Sequence, residues 1–166
     1  MIGTGYVGLV SGTCFADIGH QVYCVDKDTS KINKLNSGIS PIYEPGLDEL
    51  IQKNHKAKRL HFTSNLKKAI TVSDIIFICV GTPNIKGSLK VNLSFVFKCT
   101  KEILSITKKK KIIVTKSTVP VGTGDQIENI IKKKRKLFSV ISNPEFLREG
   151  EAIRDFRYPD RIVVGS

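Results

Sequence analysis

A doubly wound parallel β-sheet with helices on both faces is the fold this sequence predicts, and three observations carry it. Helical and strand-like segments alternate along all 166 residues, which is the pattern of a parallel sheet with crossover helices. The run IIFICV, Ile75 to Val80, has the unbroken apolar character of a strand buried on both faces. The opening GTGYVG, with Gly3, Gly5 and Gly8, leads into a helical stretch, the run QVYCV and then Asp26. That order of turn, helix, strand and acid is the fingerprint of a Rossmann-like, dinucleotide-binding α/β fold.

Each part of the fingerprint has a physical task. Gly3 makes a tight turn, Gly5 lets the backbone approach a pyrophosphate, and Gly8 lets the helix pack close to the sheet. The helix N-terminus offers free N–H groups and the positive end of its dipole to phosphates. Asp26 can accept both hydroxyls of a ribose. A carboxylate there favours NAD over NADP, because a 2′-phosphate would meet a negative charge. Only Met1 and Ile2 precede Gly3, whereas a strand feeding such a turn needs about five residues. The first strand is therefore expected to be a stub, its remainder lying upstream or lost, with its neighbours' edges exposed and the fold marginal in stability.

The other elements follow in order. A helix is expected from about Tyr6 to Ile18, ended by Gly19, and then a strand from Gln21 to Val25. A short helix around Lys31 to Leu35 stops at Ser37-Gly38. SPIYEPG, with two prolines and a glycine, reads as an ordered loop. GLDELIQKNHKAK is an amphipathic helix, LHFT a strand, and NLKKAITVS a helix. Leu93 to Ile106 reads as helix and Ile112 to Thr115 as strand. Gly122 to Lys134 reads as helix and Phe138 to Ser142 as strand. A last helix near Glu149 to Phe156 precedes the strand RIVVG. No repeat or linker divides the chain, so residues 1–166 are expected to form one domain.

Composition narrows the function. No apolar run approaches the roughly 18 residues of a membrane span, and the N-terminus lacks a signal-peptide layout, so no membrane partner and a cytoplasmic location are expected. Cys14, Cys24, Cys79 and Cys99 sit singly in apolar patterns, without metal-ligand spacing, and read as buried thiols. The net charge of +12 owes much to Lys108–Lys111 and to Lys132, Lys133, Lys134, Arg135 and Lys136. These runs lie between elements or at a helix end, where lysines are solvated or favoured by the dipole. Arginine and exposed aromatics are not clustered as nucleic-acid readers need, so no nucleic-acid partner or metal is expected.

In an open parallel sheet, ligands gather beyond the carboxyl ends of the strands. The residues following the five strand-like runs are GTGYVG, VDKD, VGTP, KSTVPVG and SNPEFLREG. All are small, polar or glycine-containing loops. Gly81, Thr82 and Pro83 offer a hydroxyl and tight backbone to a cofactor.

GTGYVGL, SPIYEPGL, VGTP, KSTVPVG, SNPEFLREG and PDRIVVG occur here in the order and approximate spacing of the UDP-glucose/GDP-mannose dehydrogenase family. The chain resembles that family over nearly its whole length, and most of all the branch that oxidises UDP-glucose. The resemblance implies two NAD-dependent steps from the sugar C6 alcohol to a carboxylate, through a cysteine-bound thiohemiacetal and thioester. Carried onto this sequence, it implies that Gly3, Gly5, Tyr6, Val7 and Gly8 cradle the pyrophosphate. Asp26 would hold the adenosine ribose, and Lys31 would reach the same end. Thr82 and Pro83 would pack by the nicotinamide half, and Thr118 would touch the cofactor and position the hydrolytic water. Glu145, Phe146, Leu147, Arg148 and Glu149 would form the substrate-facing loop, with Glu145 as a base and Glu149 near the nicotinamide. A carboxylate in a cleft can be tuned for such proton relay. The alternative readings are Glu149 as a helix first-turn acid and Arg148 as a surface ion-pair residue.

None of the four cysteines stands in the family's nucleophile motif. The family's catalytic lysine, asparagine and aspartate, its long central dimerisation helix and its C-terminal UDP-sugar-binding domain have no counterpart in these residues. The chain is therefore expected to be the N-terminal NAD-binding domain of such an enzyme, inactive alone, the whole enzyme being a homodimer acting on UDP-glucose. Other readings are a GDP-mannose or UDP-N-acetylmannosamine dehydrogenase fragment and a non-catalytic NAD-binding remnant.

Overall fold

The structure, a computed structural model, describes residues 1–88, 90–132 and 137–166. Helices and strands alternate along it as α1 (Tyr6–Asp17), β1 (Val22–Val25), α2 (Thr29–Asn36), α3 (Leu47–Lys56), β2 (Leu60–Thr63) and α4 (Leu66–Val72). They continue as β3 (Ile75–Ile78), α5 (Ser94–Ile106), β4 (Lys111–Thr115), α6 (Thr123–Ile131), β5 (Phe138–Ser142) and α7 (Ala152–Arg157). All strand pairs are parallel, with Val22 opposite Leu60, Ile76 opposite Ile113, and Ile113 opposite Val140.

Met1–Gly3 joins the two halves of the sheet. Ile2 bridges Val25 on one side and Ile78 on the other, both in parallel. Ile2 N donates to Phe77 O, Cys79 N to Ile2 O, and Gly3 N to Val25 O, each at 2.8 Å. The spatial order is thus β2, β1, this stub, β3, β4, β5, the 3-2-1-4-5-6 order of a Rossmann-like sheet. The stub reaches only the carboxyl ends of its neighbours. Ile75, at the amino end of β3, is 49% exposed. The expectation that IIFICV is buried on both faces throughout is corrected there: Ile75 pairs with Ile112 on one side, the stub does not reach it on the other, and it lines an open groove on the face of the sheet.

Burial of apolar side chains organises the layers. Helix α1 packs with α3 and α7, and Leu9, Val10, Ile51 and Leu60 fill the core beneath them. Helices α4, α5 and α6 pack side by side, and Ile76, Ile78, Val96, Ile103, Ile113 and Ile127 fill the other core. Each such side chain contributes about 1.5–3 kcal/mol on leaving water. The four cysteines are buried in these layers, as expected.

Three further expectations are corrected. Lys111 is not a solvated lysine: it is buried, and its ammonium donates to the carbonyls of Ser73 and, at 3.5 Å, Thr71. A cation there satisfies the end of α4 and complements its dipole. RIVVG is not a regular strand, since only Gly165 pairs with Ser142, antiparallel, at the β5 edge. The final helix starts at Ala152, because Glu149 to Glu151 are held in a turn with Gly150 at φ 88°. Lys133, Lys134, Arg135 and Lys136, and the end of the helix expected to reach Lys134, lie outside the described residues.

One half of the sheet keeps a bare face. Phe77, Ile112, Val114 and Ile141 floor an apolar groove of about 790 Å³, walled by Phe15 of α1 and Phe156 of α7. Parallel sheets are ordinarily covered on both faces. At the carboxyl ends of the strands the groove becomes polar, with Lys116, Asn143 and Glu145.

Candidate functional site

The glycine turn is built as its sequence demands. Gly3 has φ 101°, and a Cβ there would lie 2.6 Å from the Cys79 carbonyl oxygen. A Cβ on Gly8 would lie 2.0 Å from the Gly3 carbonyl oxygen. Both glycines are thus required by the fold, since α1 passes directly over the turn. Gly5 differs: it is exposed, has φ −72°, and nothing lies within 4 Å of a Cβ built on it. Its lack of a side chain keeps open a space the protein does not fill. Helix α1 begins there with no side-chain cap and no acid in its first turn. Its first N–H groups are left for an anion.

Asp26 closes β1 beside this turn. Its Oδ2 accepts from Thr4 N at 2.9 Å and Thr4 Oγ1 at 2.8 Å, and its Oδ1 accepts from Asp28 N at 3.1 Å. Lys31 Nζ stands 3.5 Å from Oδ2. Partial burial pushes the carboxyl up, but the Thr4 and Asp28 donors and the Lys31 ammonium outweigh it and hold Asp26 below the usual carboxylate range. Asp28, also lowered, caps α2 by accepting from Ser30 N and Lys31 N.

The remaining loops line the same edge of the sheet. Thr82 Oγ1 donates to Thr118 O at 2.9 Å, which ties the loop after β3 to the loop after β4. Ser117 Oγ adds a second tie, donating to Val80 O at 2.7 Å. Pro83 and Thr118 are exposed. After β5, Glu145 Oε2 accepts from Leu147 N at 2.6 Å. Leu147 packs against the core under α1 and α7. Phe146 lies under the Arg161 guanidinium, 4.7 Å from ring centroid to Cζ. Arg148 forms a bidentate pair with Asp155, at 3.0 and 2.6 Å, so its fork is engaged within the loop. Glu149 is exposed next to the glycine turn, where its charge acts on Tyr6.

Sequence reasoning did not single out two buried charged residues here. Lys116, at the end of β4, donates to Asn143 Oδ1 at 3.2 Å, and burial holds its ammonium below the usual lysine range despite the nearby Glu145 carboxylate. Glu44, in SPIYEPG, is 5% exposed and receives Tyr6 Oη, Gly150 N and Ile153 N. No local signal marked Glu44, since the neighbouring Tyr43 is exposed and the donors to Glu44 come from distant residues.

An uncapped helix start, an open space over Gly5 and a carboxylate directly after β1 together fit a dinucleotide. The fold and site define a dinucleotide-binding domain of the Rossmann type. The chain belongs to the UDP-glucose/GDP-mannose dehydrogenase family, whose NAD-binding-domain profile matches residues 1–166. The UDP-glucose 6-dehydrogenase of Rhizobium meliloti (strain 1021) is 55% identical over 167 residues, covering 99% of this chain and 38% of that protein. UDP-glucose 6-dehydrogenase TuaD of Bacillus subtilis (strain 168) is 53% identical, covering 100% of this chain and 36% of that protein. Among solved structures, a UDP-glucose dehydrogenase from Pyrobaculum islandicum superposes with a TM-score of 0.91 at 38% identity, covering 99% of this chain and 39% of that one. A GDP-mannose dehydrogenase from Pseudomonas aeruginosa, in a ternary complex, gives 0.90 at 40% identity, with 99% and 39% covered. The chain spans under two fifths of the length of these relatives.

Proposed function

We propose that this chain is the NAD-binding part of an enzyme that oxidises the C6 alcohol of UDP-glucose to the carboxylate of UDP-glucuronate in two NAD-dependent steps. The observation that supports the sugar preference is the identity of 55% and 53% to two UDP-glucose 6-dehydrogenases; the solved structures do not separate the sugars, at 38% for the UDP-glucose dehydrogenase and 40% for the GDP-mannose dehydrogenase. NAD, when bound, accepts hydride from C6. In this reading Gly3, Gly5, Tyr6, Val7 and Gly8 form the turn that cradles the pyrophosphate, the free N–H groups coming from the start of α1 because Gly3 N is bonded to Val25 O, and Asp26 and Lys31 hold the adenosine ribose. Thr82 and Pro83 face the nicotinamide half. Thr118 orients the hydrolytic water, and Glu145 takes a proton from alcohol or water. Phe146, Leu147, Arg148 and Glu149 shape the loop that meets the nucleotide-sugar.

A thiol nucleophile is assigned to the rest of the enzyme, since burial raises Cys14 and Cys24 to about 11 and Cys79 and Cys99 to about 12. The same reading carries a homodimer working in the cytoplasm, with the described residues holding no helix long and apolar enough to cross a membrane. The test is to assay the product of the gene that encodes this sequence with NAD and, in turn, UDP-glucose, GDP-mannose and UDP-N-acetylmannosamine. NADH formation with UDP-glucose at the highest kcat/KM is expected; a preference for either other sugar overturns the assignment.

A further inference from the structure

We propose that Glu44 is a positioning residue that locks the Glu145–Gly150 loop to the cofactor turn, so that occupancy of one is felt by the other. This rests on the NAD-binding reading above and adds a residue that reading does not use.

Two segments far apart in sequence meet on the Glu44 carboxylate. Tyr6, the first residue of α1, donates its hydroxyl to Glu44 Oε2. The N–H of Gly150, which ends the candidate substrate loop, is shared between Glu44 Oε2 and Tyr6 Oη, 2.8 Å from each. The N–H of Ile153 reaches Glu44 Oε1 at 3.3 Å. A carboxylate this buried is costly unless its lone pairs are met by donors, and here every donor comes from Tyr6 of the glycine turn, from Gly150 or from Ile153 in the first turn of α7. Burial first, and the Glu44 carboxylate second, push the Tyr6 phenol up to about 12. The phenol therefore stays a donor at any physiological pH.

The grip has a firm base. Leu47 N donates to Glu44 O at 3.1 Å, and Ser40 N donates to Asp48 Oδ1 at 2.9 Å, which fixes both ends of the Pro41–Gly46 loop to α3. The loop held in this way presents Glu145 and Glu149. A shift of Tyr6 caused by an anion on the turn would pass through Glu44 to Gly150.

The test is hydrogen–deuterium exchange of the full 166-residue chain with and without NAD. In the unmodified chain NAD should slow exchange at Gly5–Gly8 and also at Glu145–Gly150. Glu44→Gln keeps the side-chain length but turns one acceptor into a donor. It should raise exchange at Gly150 and Ile153 by about tenfold, the loss of one charge-assisted bond. It should also abolish the NAD-induced slowing at Glu145–Gly150 while the slowing at Gly5–Gly8 persists. Tyr6→Phe retains the ring and should raise exchange at Gly150 but not at Ile153, so it carries the test if Glu44→Gln fails to fold. Unchanged exchange at Gly150 in a folded variant overturns the proposal, as does an equal rise at Ile113 and Ile127, which marks general destabilisation. So does NAD-induced slowing at Glu145–Gly150 that survives Glu44→Gln. If the unmodified chain binds no NAD, the cofactor reading falls, and exchange at Gly150 and Ile153 in ligand-free protein still decides whether Glu44 holds the loop.

Discussion

The Asp26 carboxylate receives both the backbone N–H and the hydroxyl of Thr4, so the residue that ends β1 also braces the glycine turn. In the proposed reading the same carboxylate meets the adenosine ribose and would repel a 2′-phosphate. NAD should therefore bind at least about tenfold more tightly than NADP, a difference of about 1.4 kcal/mol. Asp26→Ala should narrow that gap and, by releasing Thr4, weaken NAD itself. Calorimetric titration with both cofactors decides this, and equal affinities in the unmodified chain count against it.

The three glycines of the turn should separate by function. Gly8→Ala puts a methyl 2.0 Å from a backbone oxygen that cannot step aside, and should cost at least about 1–3 kcal/mol as overpacking. Gly5→Ala meets nothing within 4 Å and should change stability by no more than about 0.5 kcal/mol, while losing much of the NAD affinity. Thermal melts paired with NAD titrations read both. A Gly5→Ala chain that binds NAD normally would remove the pyrophosphate from that position.

Acid should loosen the packing of α1 on α3 and α7 through Asp17. Its carboxylate accepts from Lys53 at 2.7 Å, Asn54 at 3.2 Å and Arg157 at 2.8 Å. The Lys53 bond chiefly holds its carboxyl below the ordinary value of 3.8, against some burial. A lowered folded-state pKa means that the stabilisation is complete above the unfolded value and is lost as pH falls through the folded one. The melting temperature should drop on acidification below about pH 4. Asp17→Asn should cost about 1–3 kcal/mol at neutral pH and flatten that part of the profile.

The thiols should be silent in the folded chain. With values raised to about 11 or 12 by burial, none supplies the thiolate that attack requires. Ellman's reagent at pH 8 should find no fast-reacting cysteine until denaturant is added. The purified chain mixed with UDP-glucose and NAD should form no NADH. Steady turnover would show that a nucleophile or another route exists within these residues.

The sequence by itself determined the layer order, several elements closely and the glycine turn with its neighbouring acid. Leu60–Thr63 and Phe138–Ser142 matched their expected strands because apolar runs and terminators are local signals. Gly3, Gly8 and Asp26 were legible for the same reason: the turn and its acid lie within one βαβ unit, and the positive φ of Gly3 and the close approach of Gly8 to the Gly3 carbonyl each require glycine. Only the tertiary structure decided the fate of the charged side chains. Glu44 is buried because donors 38, 106 and 109 residues away converge on it. Lys111 is buried because the end of α4 offers it carbonyls. A polar group is buried only where the fold brings partners that replace its water, and no local pattern records which distant segments those will be.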